Sequence, residues 1–338
     1  MTISRLSLAL DEAGGLPDAG RILVLRPTRE TDLGDLPKTR TVIVTGFRPD
    51  YEDFAARGFT VAERAEGIFA AAILILPRAK ALARAMVADA AAAVAVGGPI
   101  WIDGQKTDGV ESLYKDLRDR APVTQSFAKA HGRAFVFAAP GPQVFADWQA
   151  KTLTPLPGFI TRPGVFSADG VDPGSEFLAA HLPVDLKGKG ADLGAGWGWL
   201  AAQVLSRASV KELHLVEAEA EALACARENL TDGRARFHWA DATRFHPEAV
   251  LDFVVMNPPF HVGRAADPAL GAGFIRAAAK MLHPAGRLYL VANRTLPYEE
   301  ALRSTFAIVN PVALGGGFKV LSAARPLAAR SGSKPARR

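Results

Sequence analysis

The chain has one cysteine, Cys225, among 338 residues. It can close no disulfide on itself, and it lacks the ligands for a cysteine-built zinc centre, so no metal is expected. Long apolar runs are missing too. No stretch approaches the about 18 uninterrupted residues a membrane-spanning helix needs. The first ten residues lack a basic region followed by an apolar core, so no signal peptide is expected. The cytosol is the expected compartment and a monomer the expected form. Excess charge of one sign is absent from most of the chain. The net charge is +5, but Arg325, Arg330, Lys334, Arg337 and Arg338 supply all of it, so residues 1–324 sum to zero. The stretch 325–338 reads as a disordered basic tail, either a source of unspecific phosphate affinity or a solubility appendage.

What is present begins with bulk. Apolar residues make up 49% of the chain, enough for real cores, and 338 residues predict two domains. The most informative stretch is Asn257-Pro258-Pro259-Phe260-His261, which follows the apolar run 253–256. That run reads as a buried parallel strand. The prolines remove backbone donors and fix φ, which holds the loop rigid and leaves carbonyl acceptors beside an aromatic ring. Such a loop suits gripping a planar base by its exocyclic amine. Taken alone, a strand end broken by two prolines, with Phe260 in the core, reads equally well.

Further signals agree with the first reading. Lys189 to Leu193, then Gly194-Ala195-Gly196-Trp197-Gly198, then an apolar helical stretch from Trp199, form a strand, a tight turn and a helix. Glycines there let a ligand approach the backbone at a helix N-terminus. Asp192, just before them, would repel a pyrophosphate and attract a cationic amino group, such as that of S-adenosylmethionine. Glu217 closes a second strand 25 residues later, near the spacing of a ribose-binding acid. Asp241 follows a third strand, where it can accept from an adenine amine. Each acid alone reads as a loop residue or cap, but three closing successive strands are a pattern.

These residues resemble a class I S-adenosylmethionine-dependent methyltransferase over about residues 163–323. More narrowly, they resemble the ribosomal RNA guanine-N2 methyltransferases of the small subunit, with a large-subunit relative close by. The matching stretches are Pro163-Gly164-Val165-Phe166-Ser167, Asp172-Pro173-Gly174-Ser175, the glycine turn and Asn257-Pro258-Pro259-Phe260-His261. The match continues in Val291-Ala292-Asn293-Arg294, Leu296-Pro297-Tyr298 and Gly317-Phe318-Lys319-Val320-Leu321. Trp197 departs from the pattern of the glycine loop.

The first half repeats the plan without its glycine turn. Strands lie at 21–25, 41–45 and 72–76; Arg26-Pro27-Thr28-Arg29 follows the first and Pro77-Arg78-Ala79-Lys80 the third. Residues 100–107 match 288–295 position by position, including Gln105/Asn293, Lys106/Arg294 and Thr107/Thr295. Aligning Pro77 with Pro258 leaves seven extra residues in the second copy, expected in the loop from His261 to Pro268. The fold expected is therefore α/β, two Rossmann-like domains in tandem. The first, 1–150, is a degenerate copy without a cofactor site. The second, 151–324, is a seven-stranded doubly wound catalytic domain, joined through the Pro-rich segment 150–162. The resemblance implies that the first copy supports folding and engages RNA.

The implied reaction moves a methyl group from S-adenosylmethionine to guanine N2 in ribosomal RNA or an assembled ribosomal subunit. The Asn257 side-chain oxygen and the Pro258 carbonyl would accept from the amine, Pro259 would stiffen the loop, and Phe260 would stack on the base. His261, Asn293, Arg294 and Tyr298 are expected on the substrate side, although Arg294 could instead pair with Glu299 or Glu300. Asp192, Gly194, Gly196, Glu217, Asp241 and Asn257 are expected at the cofactor. Asp172 and Ser175, with Phe166 and Ser167, could fold over it, or simply make a turn and helix start. Two other readings remain open: methyl transfer to a protein glutamine or an adenine, and a non-catalytic RNA-binding factor.

Overall fold

A computed structural model describes residues 5–12, 14–34, 36–259, 261–262, 265–266 and 268–327, with only the backbone at 261, 262, 265 and 266. The chain divides into two compact units, Met1–Asp169 with Glu219–Glu221, and Gly170–Ala218 with Ala222–Arg338.

The first unit contains β1 (Ile22–Leu25), β2 (Thr41–Val44), β3 (Thr60–Ala62), β4 (Ala71–Ile75), β5 (Pro99–Gln105), β6 (Val123–Lys129) and β7 (Gly132–Ala138), in the order β3-β2-β1-β4-β5-β7-β6. The five strands β1–β5 run parallel, β7 pairs antiparallel with β5, and the edge strand β6 pairs antiparallel with β7. β1 and β2 are buried along their whole length, which explains why they read as unbroken apolar runs rather than alternating ones. Helices α3 (Lys80–Ala93) and α4 (Val110–Arg118) cover one face. Helices α1 (Arg5–Glu12) and α2 (Arg48–Ala56) cover the other. The Pro-rich segment read as a connection is a small hairpin, β8 (Leu153–Leu156) paired with β9 (Phe159–Thr161).

The second unit repeats this order. Its strands are β10 (Gly188–Leu193), β11 (Val210–Glu217), β12 (Ala235–Trp239), β13 (Leu251–Met256), β16 (Leu282–Asn293), β17 (Phe306–Gly315) and β18 (Phe318–Pro326), arranged β12-β11-β10-β13-β16-β18-β17. Between β13 and β16 lies the hairpin β14 (His261–Val262) and β15 (Ala265–Ala266). Helices α5 (Pro173–His181), α6 (Trp199–Leu205) and α7 (Ala220–Asn229) pack on one face through Leu178, Leu200, Val204 and Ala226. Helices α8 (Pro268–Met281) and α9 (Tyr298–Arg303) pack on the other through Phe274, Ile275, Tyr298 and Leu302. Tandem Rossmann-like domains are what the chain builds.

Cross-strand register aligns the two copies residue by residue. Leu25 pairs with Val44 and Leu74, and Leu193 pairs with Val216 and Met256. The following N–H repeats the same bond: Arg26 donates to the Val44 carbonyl at 2.8 Å and Gly194 to the Val216 carbonyl at 2.8 Å. Arg26 even takes the left-handed backbone of its glycine counterpart, φ 51° against 76°. On this register Ile75 stands where Asn257 stands, and Pro77 matches Pro259 rather than Pro258. The offset between copies is 182 residues at β4 and β13 and 188 at β5 and β16, so six residues are extra, one fewer than the sequence alignment gives. The hairpin β14–β15 occupies the loop where the extra residues were expected. A second correction concerns the tail. Arg325 and Pro326 close β18, Pro326 in register with Phe306. Residues 328–338 lie outside the described residues.

Candidate active site

The strand order reverses at β10, whose neighbours β11 and β13 lead away on either side. In an open α/β sheet the crevice at such a point, beyond the carboxyl ends of the strands, is where ligands bind. Side chains alternate across a strand. Ala191 and Leu193 point into the α8–α9 core, as do Val216, Val254 and Met256. Leu215, Phe253 and Val255 point into the α5–α6 core. Asp192, Glu217 and Asn257 share the parity of this second set. All three therefore lie on one face of the sheet, at the carboxyl ends of its strands.

Asp192 is 1% exposed, and its Oδ2 has no hydrogen-bond partner. Burial pushes its carboxyl up to about 8, and the nearby Glu217 charge adds to the shift. A buried, unsatisfied carboxyl is costly unless something cationic or donating completes it. Glu217 Oε2 accepts from the Gly196 N–H at 2.8 Å and ties the second strand to the glycine turn. Gly194, Gly196 and Gly198 all have positive φ. A Cβ at Gly196 would meet nothing within 4 Å, so open space adjoins the turn. Trp197, the departure in this loop, is 4% exposed, and its carbonyl accepts from Asn229 Nδ2 at 2.9 Å. Asp241 Oδ1 accepts from the Thr243 N–H at 2.8 Å and from its hydroxyl at 2.6 Å, which shapes the turn after β12. Trp239, in register with Glu217, donates its indole N–H to the Ala218 carbonyl at 2.9 Å.

Asn257 follows β13 directly. Its Nδ2 donates to Asp172 Oδ2 at 2.7 Å and to Ser175 Oγ at 2.9 Å. Pro258 is buried and Pro259 exposed. Phe260 lies outside the described residues, as does the side chain of His261, whose backbone pairs with Ala266.

Residues 157–322 match the Methyltransferase small domain family. Ribosomal RNA small subunit methyltransferase C of Klebsiella pneumoniae is 34% identical over 231 residues, 67% of this chain and 67% of that protein. Its namesake from Idiomarina loihiensis is 31% identical over 242 residues, 69% of this chain and 72% of that protein. The chain belongs to the ribosomal RNA small subunit methyltransferase C family. Among solved structures, the T. thermophilus 16S rRNA N2 G1207 methyltransferase in complex with AdoMet and guanosine superposes with a TM-score of 0.75. The pair share 26% identity, covering 94% of this chain and 91% of that one.

Other expected positions in this methyltransferase fall differently. Asn293 ends β16 in register with Phe318, and the exposed Arg294 donates its N–H to the Gly317 carbonyl at 2.9 Å. Glu299, one proposed partner of Arg294, instead accepts from Lys319 Nζ at 2.6 Å. Tyr298 is corrected: expected at the substrate, it is 1% exposed within the α8–α9 core. Gly271 on α8 makes that possible, because any Cβ there would strike the Tyr298 ring. Asp172 and Ser175, read as a cover for the cofactor or a helix start, do start α5, and they also hold the Asn257 amide. The only local signal was the Asp-Pro-Gly-Ser helix-start pattern, which Asp172 fulfils by accepting from the Ser175 N–H at 2.7 Å. No helix among the described residues is long and apolar enough to cross a membrane.

Proposed function

We propose that the second unit transfers a methyl group from S-adenosylmethionine to the exocyclic N2 of a guanine in 16S ribosomal RNA. The observation that carries this reading is the buried Asp192 carboxyl, one oxygen of it without a partner, on the same face of the sheet as Glu217 and Asn257. Bound there, S-adenosylmethionine supplies an activated methyl group on a sulfonium. Asp192 receives the cofactor's ammonium, Glu217 its ribose hydroxyls and Asp241 its adenine amine. Gly194 and Gly196 let the backbone lie close against it. Asn257 Oδ1 and the Pro258 carbonyl accept from the guanine N2–H groups. These acceptors would orient the nitrogen lone pair and favour the positive charge that grows on nitrogen as the methyl carbon leaves sulfur, and the surplus N2 proton would pass to solvent. Pro259 keeps the loop stiff, Phe260 stacks on the unstacked base, and His261, Asn293 and Arg294 line the RNA side.

The first unit, in this reading, is a copy that has lost its cofactor site and serves folding and RNA engagement. Domains of about residues 1–150 and 151–324, a monomer and a cytoplasmic location complete the proposal. Labelled-methyl transfer to small ribosomal subunits from a strain lacking this protein, followed by mapping of the modified nucleotide, tests it. Label on a guanine N2 of 16S RNA is the expected result; label on protein or on adenine alone would refute it.

A further inference from the structure

Resting on that reading of Asn257, we infer that Asp172 and Ser175 are positioning residues that decide which end of the Asn257 amide meets the substrate. An amide offers one acceptor and two donors, and either end can face a pocket. Here both acceptors sit on the nitrogen side: Asp172 Oδ2 at 2.7 Å and Ser175 Oγ at 2.9 Å from Nδ2. Two hydrogens meet two acceptors, so the only group of the side chain left over is Oδ1. A flip would set Oδ1 against the Asp172 carboxylate, two acceptors face to face. The flip is excluded by chemistry, not merely by packing.

The consequence is specific to an amine substrate. A nucleophilic nitrogen that carries its own hydrogens needs an acceptor, and a flipped amide would offer it donors. Asp172 also sets a negative charge behind the amide, which polarises it and strengthens Oδ1 as an acceptor of a nitrogen becoming positive. The contact spans 85 residues of chain to Asp172 and 82 to Ser175. Both come from the start of α5. There Asp172 is N-cap, Pro173 takes the first helical position, and one carboxylate oxygen takes the Ser175 N–H and the Asn257 amide together. The same cap that starts the helix thus aims the amide.

Asp172→Ser separates the two roles, since serine caps helices as well as aspartate but falls short of Asn257. Thermal midpoint, cofactor affinity and RNA KM should stay near wild type, while kcat falls about 100-fold. Asp172→Asn should fall between the two, keeping the shared oxygen and losing the charge. Ser175→Ala should lower kcat about tenfold, with Ser175→Thr restoring it. In an Asn257→Ala background none of these should cause a further loss. Unchanged kcat in Asp172→Ser, or equal loss in both backgrounds, would overturn the inference.

A second readout needs no turnover. The Asn257 side-chain NH2 signals of labelled protein should move together in Asp172→Ser, and signals that stay put would overturn the contact. A wild type that methylates no RNA, with the amide signals still tied to Asp172, would support the contact and sink the methyl-transfer reading.

Discussion

The two sheets have the same strand order and the same register, yet only the second carries a carboxylate or an amide at three matched strand ends. Where the second unit has Asp192, Glu217 and Asn257, the matching positions of the first hold Val24, Thr45 and Ile75. Val24 is 0% exposed and sits in the apolar core under α1 and α2. A Rossmann-like sheet needs none of those polar groups to fold. Of the three, Asp192 costs the second unit stability, because its buried Oδ2 has no hydrogen-bond partner. Packing has diverged in a compensating way. The adjacent pair Ile22 and Ala71 in the first sheet becomes Gly190 and Phe253 in the second, which trades one large side chain for another across the same register.

Making the second site resemble the first is the most direct way to break the contrast. Asn257→Ile, which installs the residue at the matching position of the first unit, should reduce methyl transfer about 100- to 1000-fold. Calorimetry should show cofactor affinity nearly unchanged; a variant that still methylates at the wild-type rate would remove Asn257 from the reaction. Asp192→Val should act on the other half of the site. It should weaken cofactor binding about 10- to 100-fold. The empty protein should become about 1 kcal/mol more stable, because a buried carboxyl with an unsatisfied oxygen disappears.

The raised pKa of Asp192 gives the contrast a pH signature. Its folded value of about 8 lies far above its ordinary 3.8. Between those values the unfolded chain has shed the proton and the folded chain keeps it, so this group makes the empty protein less stable as pH rises through that window. A cationic ligand requires the carboxylate. Binding below pH 8 should therefore release a proton, and affinity should rise with pH up to about 8. Titrations in buffers of different ionisation enthalpy would show the proton, and Asp192→Asn should flatten the profile. The smallest expected effect concerns packing alone. Gly190→Ala would drive a Cβ into the Phe253 ring and should destabilise the second unit by about 1–2 kcal/mol, measured by denaturant unfolding.

Much of this was legible in one dimension, for local reasons. Strands buried on both faces must be apolar along their length, so their ends announce themselves wherever a polar residue follows. Glu217, Asp241 and Asn257 were found that way, and Asp192 by its place just before the turn glycines. The turn glycines were equally legible, because left-handed backbone is unfavourable for almost any other residue. Arg26 shows the limit of that logic: it adopts the left-handed backbone without being glycine, so the first copy gives no glycine signal.

Local order thus determined the strands, their polar ends, the turn and the existence of a second copy of the plan. Tertiary structure alone decided the residue-by-residue match between copies, since a one-residue slip is invisible until hydrogen bonds set the register. It also decided that Tyr298 goes to the core, which depends on the room left by Gly271 on another helix. The amide of Asn257 and the oxygens that hold it are brought together only by folding, across more than eighty residues. Hydrogen bonds depend on where atoms end up in space, and sequence spacing says nothing about which distant helix start will face a given strand end.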